Sequence, residues 1–152
     1  MQSLADAGAS FVLIGGWAGI LNGSLRTTLD LDVCYERTKQ NCRRIAVALA
    51  PLEPRLRDIP DDLPFVWDEA VLLNATVCTL MTKAGAIDLL AEVTGLGGYE
   101  DVKASSVPVH AFDRDIRTLD LRGLIRAKKA AGRQKDLDAL PELESLLEAS
   151  ED

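Results

Sequence analysis

A single histidine, His110, and three cysteines, Cys34, Cys42 and Cys78, with no Cys-x-x-Cys pair, leave the chain without the ligand spacing of a conventional zinc site. The odd cysteine count does not fit a disulfide framework; reduced, buried thiols in a cytosolic protein are expected instead. His110 lies within Val107-Pro-Val-His-Ala-Phe112 and reads as a strand residue rather than a catalytic one. Basic charge is also short. There are 17 Lys+Arg against 24 Asp+Glu, a net of −7, so a general nucleic-acid coat is disfavoured, although a local basic patch can still bind a small anion. No internal repeat or low-complexity linker is present. The start, Met1-Gln-Ser-Leu-Ala-Asp6, lacks the cationic opening of a signal peptide. The uncharged run Ala7 to Leu25 has the length of a membrane span, but Gly8, Ser10, Gly15, Gly16, Gly19, Asn22, Gly23 and Ser24 within it read better as strand, turn and short helix. A cytoplasmic location without membrane contact is therefore expected.

What the chain does have is an ordinary globular composition. Its 152 residues are 47% apolar and 27% charged, which suits one domain with a real core. A helical turn about residues 1–8 is followed by the apolar run Ser10-Phe-Val-Leu-Ile14, a buried strand ended by Gly15-Gly16. Trp17 to Leu25 predicts a helix. Thr28 to Tyr35 alternates, with Thr28, Asp30 and Asp32 on one face and Leu29, Leu31 and Val33 on the other. Thr38 to Leu49 predicts a helix capped by Thr38 and stopped by Pro51. Residues 51–64, with Pro51, Pro54, Pro60 and Pro64, should be largely irregular. Ala75 to Met81 and Ala86 to Glu92 predict a hairpin around Lys83-Ala-Gly85, and Thr94 to Gly98 a glycine-rich loop. Val107 to Phe112 and Ile116 to Leu119 are further strands. From Asp120 the pattern is helical, with Leu121, Leu124, Ile125 and Lys128 on one face; Gly132 interrupts it, and a last helix over about 134–149 is kinked or split at Pro141. The class is α+β or mixed-sheet α/β, with a C-terminal helical part over about 120–149.

The segment that carries chemistry runs from Gly15 to Asp32. A strand enters a Gly-Gly turn, a short helix follows, and the next strand bears Asp30-Leu31-Asp32. Glycines let a backbone approach a ligand closely, and a helix start after such a turn favours phosphate. Two carboxylates two residues apart on a strand share a face, repel each other, and suit a hard cation such as Mg²⁺. The turn is neither G-x-G-x-x-G nor a P-loop. Each part alone is commonplace; their ordered combination is not.

On these residues the chain resembles the nucleotidyltransferase superfamily that includes DNA polymerase β, and within it the small bacterial nucleotidyltransferase-like proteins related to abortive-infection-type toxins. The resemblance rests on Gly15-Gly16-x-Ala18 and Gly23-x-x-Arg26-x-Thr28-x-Asp30-Leu31-Asp32. It continues through Gly85-Ala-Ile-Asp88-Leu-Leu90, Leu124-Ile-x-x-Lys128 and Gly132-Arg-x-Lys-Asp136, and so spans nearly the whole chain. It implies a mixed sheet flanked by helices in one minimal domain. It further implies Asp30, Asp32 and Asp88 as catalytic carboxylates and ligands to two Mg²⁺ (or Mn²⁺) ions, with Asp88 helping to take a proton from the attacking hydroxyl. A nucleoside triphosphate is the implied donor, and the implied reaction moves its nucleoside monophosphate to an acceptor hydroxyl.

Gly15, Gly16, Arg26, Thr28, Lys128, Arg133 and Lys135 are the candidates for holding that nucleotide. Alternatives stand beside each. Asp88 meets either metal or a salt bridge to Arg26, Lys128 or Arg133, since an unpaired carboxylate in an apolar strand is costly. Lys128 either reaches the triphosphate or lays its stem over apolar surface. Arg122, Arg126 and Lys129 are as well explained by a solvated helix face, and Asp136 by ion pairing that orients a neighbour. Trp17 either stacks on a base or fills the core, and residues 51–69 are a candidate cover over the site. The acceptor is a protein hydroxyl, an RNA end or a small molecule, and a partner protein or a homodimer is expected to supply its surface. The competing reading is a weakly active or inactive binding module of the same fold, such as one half of a toxin–antitoxin pair.

Overall fold

The structure, a computed structural model, describes residues 1–151. Nine strands and seven α-helices follow one another along these residues. Helix α1 (Gln2–Asp6) leads into β1 (Phe11–Ile14), α2 (Gly15–Leu21) and β2 (Leu31–Tyr35). Then come α3 (Lys39–Leu49), a 3-10 turn (Ala50–Leu52), β3 (Arg55–Leu56) and α4 (Glu69–Leu73). The hairpin β4 (Val77–Thr82) and β5 (Gly85–Leu90) precedes the short pair β6 (Glu92–Val93) and β7 (Gly97–Gly98). Helix α5 (Tyr99–Ala104), β8 (Ser106–Ala111), β9 (Arg114–Leu119), α6 (Leu121–Ala131) and α7 (Gln134–Glu151) complete the fold.

Seven strands form one mixed sheet in the order β3-β4-β5-β2-β1-β9-β8. Pairing is parallel at β2/β5 and β1/β9 and antiparallel elsewhere. The alternation of strand side chains assigns them to two cores. Phe11, Leu13, Val33, Tyr35, Ile87 and Leu89 pack under α1, α3 and α4. Val12, Ile14, Cys34 and Leu119 pack on the other face with Val102 of α5, Leu124 and Ile125 of α6, and Ala139 and Leu143 of α7. Helices therefore flank both faces, as the α+β, mixed-sheet expectation requires, and β1, central to the sheet, is apolar and buried throughout.

Several boundaries differ from the sequence reading. Helix α2 begins at Gly15 itself rather than at Trp17 and ends at Leu21. Strand β2 begins at Leu31 rather than Thr28. Residues 28–30 are held in a local turn, in which the Thr28 hydroxyl donates to the Asp30 carbonyl, and Leu29 is 96% exposed instead of facing a core. Helix α7 runs unbroken through Pro141. Pro141 is exposed, so the carbonyl it leaves unbonded one turn earlier meets solvent and the helix continues. Helices α4 and α5 were not expected. Each is only about a turn and a half long, too short for a periodicity to show. Thr38 and Asp120 cap α3 and α6 by accepting from the Asn41 and Gly123 backbone N–H groups.

No helix among the described residues is long and apolar enough to cross a membrane.

Candidate active site

Parallel pairing of β2 with β5 puts Asp32 directly beside Asp88. Both side chains leave the sheet on the face that carries Cys34 and Leu90, by the period-two rule. Asp30, at the entrance to β2, turns toward the same space. All three carboxylates line one cavity of ≈ 620 Å³, a size ordinary for a small-molecule site. Gly15, Gly16, Arg26, Thr28, Lys128, Arg133 and Lys135 line it too. The structure thus brings together the three carboxylates and the seven residues nominated to hold the nucleotide.

The glycine turn lets this happen. Gly15 sits at φ +64°, in the left-handed region, and a Cβ built there would lie 2.3 Å from Asp32 Oδ2. A Cβ at Gly16 would lie 2.7 Å from the Thr28 Cβ. Only the absence of side chains at both positions lets α2 start against the carboxylate strand.

On the opposite wall, α6 and α7 meet at Gly132, which closes α6 in the left-handed conformation at φ +65°. The first turn of α7 carries Asp136, which is 1% exposed. Its carboxylate accepts from Lys128 Nζ at 3.2 Å and from Arg133 Nε at 2.6 Å. Burial pushes this carboxyl up, and the hydrogen bonds and charges of Arg133 and Lys128 more than reverse that, so it titrates below its ordinary value. Lys128 is thus neither simply snorkelling nor free; it is oriented beside the cavity. Lys135 lines the same wall.

A further residue escaped the sequence reading. Glu142 of α7 accepts from the Ser24 hydroxyl at 2.5 Å and from the Leu25 N–H at 3.0 Å. Arg26 in turn donates to the Asp138 carbonyl at 2.7 Å. Together these bonds tie the loop before β2 to α7. Nothing in the sequence distinguishes Glu142 from the other acids of that helix.

The partner of Asp88 is also unexpected. It is not Arg26, Lys128 or Arg133 but Arg57, whose guanidinium hydrogen-bonds the Asp88 carboxylate and lies 3.9 Å from Asp30 Oδ2. Arg57 follows β3, in a stretch read as irregular. A two-residue strand has no periodicity to reveal it. Asp32 receives no hydrogen bond among the described residues; desolvation and then the charge of Asp30 push its carboxyl up, against the opposing pull of Lys128, Lys135 and Arg57.

Other nominated features lie elsewhere. Trp17 is not among the cavity residues; its ring meets Phe112 edge-on at 5.3 Å, so the packing reading holds. The 51–69 segment does not cover the carboxylates apart from Arg57. It builds a second cavity lined by Arg55, Asp61, Leu63, Phe65 and Trp67, and the Trp67 N–H donates to the Ala46 carbonyl. Arg122, Arg126 and Lys129 bond Glu151, the Gly95 carbonyl and Glu144 outside the cavity. His110 pairs with Asp115 on the β8–β9 hairpin, and the three cysteines are free and buried.

Among the described residues, no three His, Cys, Asp or Glu side chains cluster as a ready metal site. Arg57 is in contact with two of the three candidate donors, Asp30 and Asp88. The donor type still suits a hard divalent ion: Asp32 and Asp88 lie side by side across β2 and β5, and the Asp32 carboxylate receives no hydrogen bond among the described residues.

No protein-family model matches the chain, and no curated protein matches it. Among solved structures, the fold is similar to a Thermotoga maritima protein whose crystal structure is described as a "putative nucleotidyltransferase". The TM-score is 0.58 at 12% identity, over 95% of this chain and 89% of that one. The likeness establishes a nucleotidyltransferase-like fold.

Proposed function

We propose that the chain is a divalent-metal-dependent nucleotidyltransferase that moves a nucleoside monophosphate from a nucleoside triphosphate to an acceptor hydroxyl. One observation carries this reading. Three carboxylates at the start of β2 and on β5, and three cationic side chains on α6, α7 and the turn between them, line a single cavity of ≈ 620 Å³. The fold shared with the Thermotoga protein agrees with it.

In this reading Lys128, Arg133 and Lys135 hold the triphosphate, and Asp136 keeps the first two pointed at it. Gly15 and Gly16 let the backbone of α2 approach, and Arg26 and Thr28 border the phosphates from the loop before β2. Asp30, Asp32 and Asp88 would hold Mg²⁺ or Mn²⁺, which when bound neutralises charge on the attacking and leaving oxygens. The acceptor oxygen bonds to the α-phosphorus as the bond to the bridging α–β oxygen breaks. Pyrophosphate leaves with that electron pair, and Asp88 takes the hydroxyl proton. The acceptor, whether protein, RNA end or small molecule, enters from the open side, where a partner protein or second copy would add surface.

The test is thermal stability with ATP, GTP, CTP and UTP, with and without Mg²⁺, on the wild type and an Asp30→Ala/Asp32→Ala variant. A nucleotide at about 100 times its dissociation constant stabilises by about 2.7 kcal/mol, a rise of roughly 5–10 °C for a domain of this size. A Mg²⁺-dependent rise with one nucleotide, absent in the variant, is expected. No rise with any nucleotide would favour the second reading, a binding module of the same fold such as half of a toxin–antitoxin pair, for which Arg57 amid the carboxylates is the supporting observation.

A further inference from the structure

The reaction outlined above has no task for Arg57, yet among the described residues it is the one cation within salt-bridge distance of Asp30 and Asp88. We propose that Arg57 is a resident counter-ion, placed where a divalent ion would bind, so that metal loading competes with the protein's own guanidinium and the site blocks itself when divalent cation is scarce. This inference rests on the metal-dependent reading of the same carboxylates.

The backbone of Arg57 is fixed. Its N–H donates to the Thr79 carbonyl at 3.1 Å, and Thr79 lies opposite Asp88 in the β4–β5 register. The side chain therefore spans one strand to reach the carboxylates, and release needs only rotation of that side chain, with no change in the sheet. The pair is also exchangeable. Arg57 and Asp88 each keep 22% of their side-chain surface exposed, so solvent can take over from either partner. Finally, the charge balance is incomplete. Among the described residues one guanidinium is within salt-bridge distance of the carboxylates, and the Asp32 carboxylate receives no hydrogen bond, with Lys128 and Lys135 acting on it only through space. A divalent ion brings twice the charge of the guanidinium, so it displaces Arg57 once its concentration suffices.

Two measurements test this. The first is Mn²⁺ binding, read from the electron paramagnetic resonance of the free ion, for the wild type and Arg57→Gln. The second is phenylglyoxal labelling of arginines in the wild type, mapped by peptide mass with and without Mn²⁺; it does not depend on the variant folding. Arg57→Gln is expected to bind Mn²⁺ about two- to fivefold tighter, the worth of a partly exposed ion pair. Arg57 labelling is expected to rise when Mn²⁺ binds, while Arg122 labelling stays constant. Wild-type binding of Mn²⁺ with no gain in the variant, or with unchanged Arg57 labelling, overturns the inference and leaves the metal reading intact. Absence of Mn²⁺ binding in both proteins overturns both.

Discussion

On the helical wall of the cavity, Asp136 is 1% exposed and holds Lys128 and Arg133 through hydrogen bonds within α6 and the start of α7. On the sheet wall, Asp30, Asp32 and Asp88 converge with no fully buried cation among them, and the half-buried Arg57 reaches across β4 from the end of the edge strand β3. Like charges are gathered on both sides. The helical wall carries its own neutralising group in the core, so its shape is complete within the chain. The sheet wall relies on an exchangeable side chain, so its charge is left for something else to satisfy. In the proposed reading, the first wall takes the anionic triphosphate and the second the divalent cation.

Substitutions can break this contrast, beginning with the largest expected effect. Asp30→Ala/Asp32→Ala should lower nucleotidyl transfer by at least about 10³-fold, measured as kcat/KM with the nucleotide that shifts stability, since the charge neutralisation of the reaction is lost. The same variant should not lose thermal stability, because it removes the repulsion between Asp30 and a desolvated Asp32.

Asp136→Ala should do the reverse on the other wall. It removes charge-assisted hydrogen bonds from a buried position and should cost about 2–3 kcal/mol in a urea titration. Nucleotide affinity should also fall as Lys128 and Arg133 lose their orientation.

A smaller effect sharpens the comparison through pH. The Asp136 carboxyl titrates below its ordinary 3.8 in the folded protein, so over that interval the unfolded chain binds more protons than the folded one. The stabilisation is complete above the unfolded value and is lost as pH falls through the lower, folded value. Denaturant titrations of the wild type between about pH 2 and 5 should show this loss, and Asp136→Asn should lack that part of it.

Smallest of all, Arg122→Ala and Lys129→Ala should shift stability by less than about 0.5 kcal/mol. Calorimetric nucleotide binding should be unchanged, because both side chains pair with α7 outside the cavity.

The difference between the walls also explains what the sequence disclosed. Asp32 was legible from the alternation of its strand, and Gly15, Gly16, Asp30 and Asp88 from the family resemblance, although residues 28–30 prove to be a turn rather than the strand their alternation suggested. Lys128 and Asp136 were legible in part: the helical face placed Lys128, and proximity suggested that Asp136 pairs with a neighbour, but not that it is buried and binds both cations. Arg57 was hidden because its position depends on β3, a strand too short to have a pattern, joining the sheet beside β4. Glu142 was hidden because its partners, Ser24 and Leu25, meet it only through tertiary packing. Pro141 does not split α7, since it is exposed and the carbonyl it frees meets water.

The parallel pairing of β2 with β5 has a consequence in time as well as in space. Parallel neighbours cannot be joined by a tight turn, and here α3, β3, α4 and β4 all lie between them in the chain. The loop that must close is long, so this pairing is among the slower contacts of the fold to form. The step that seats β5 beside β2 is also the step that first brings Asp88 up to Asp32. Assembly of the charged site therefore waits on this long-range pairing, and a chain that has not made it has not yet brought Asp88 to Asp32.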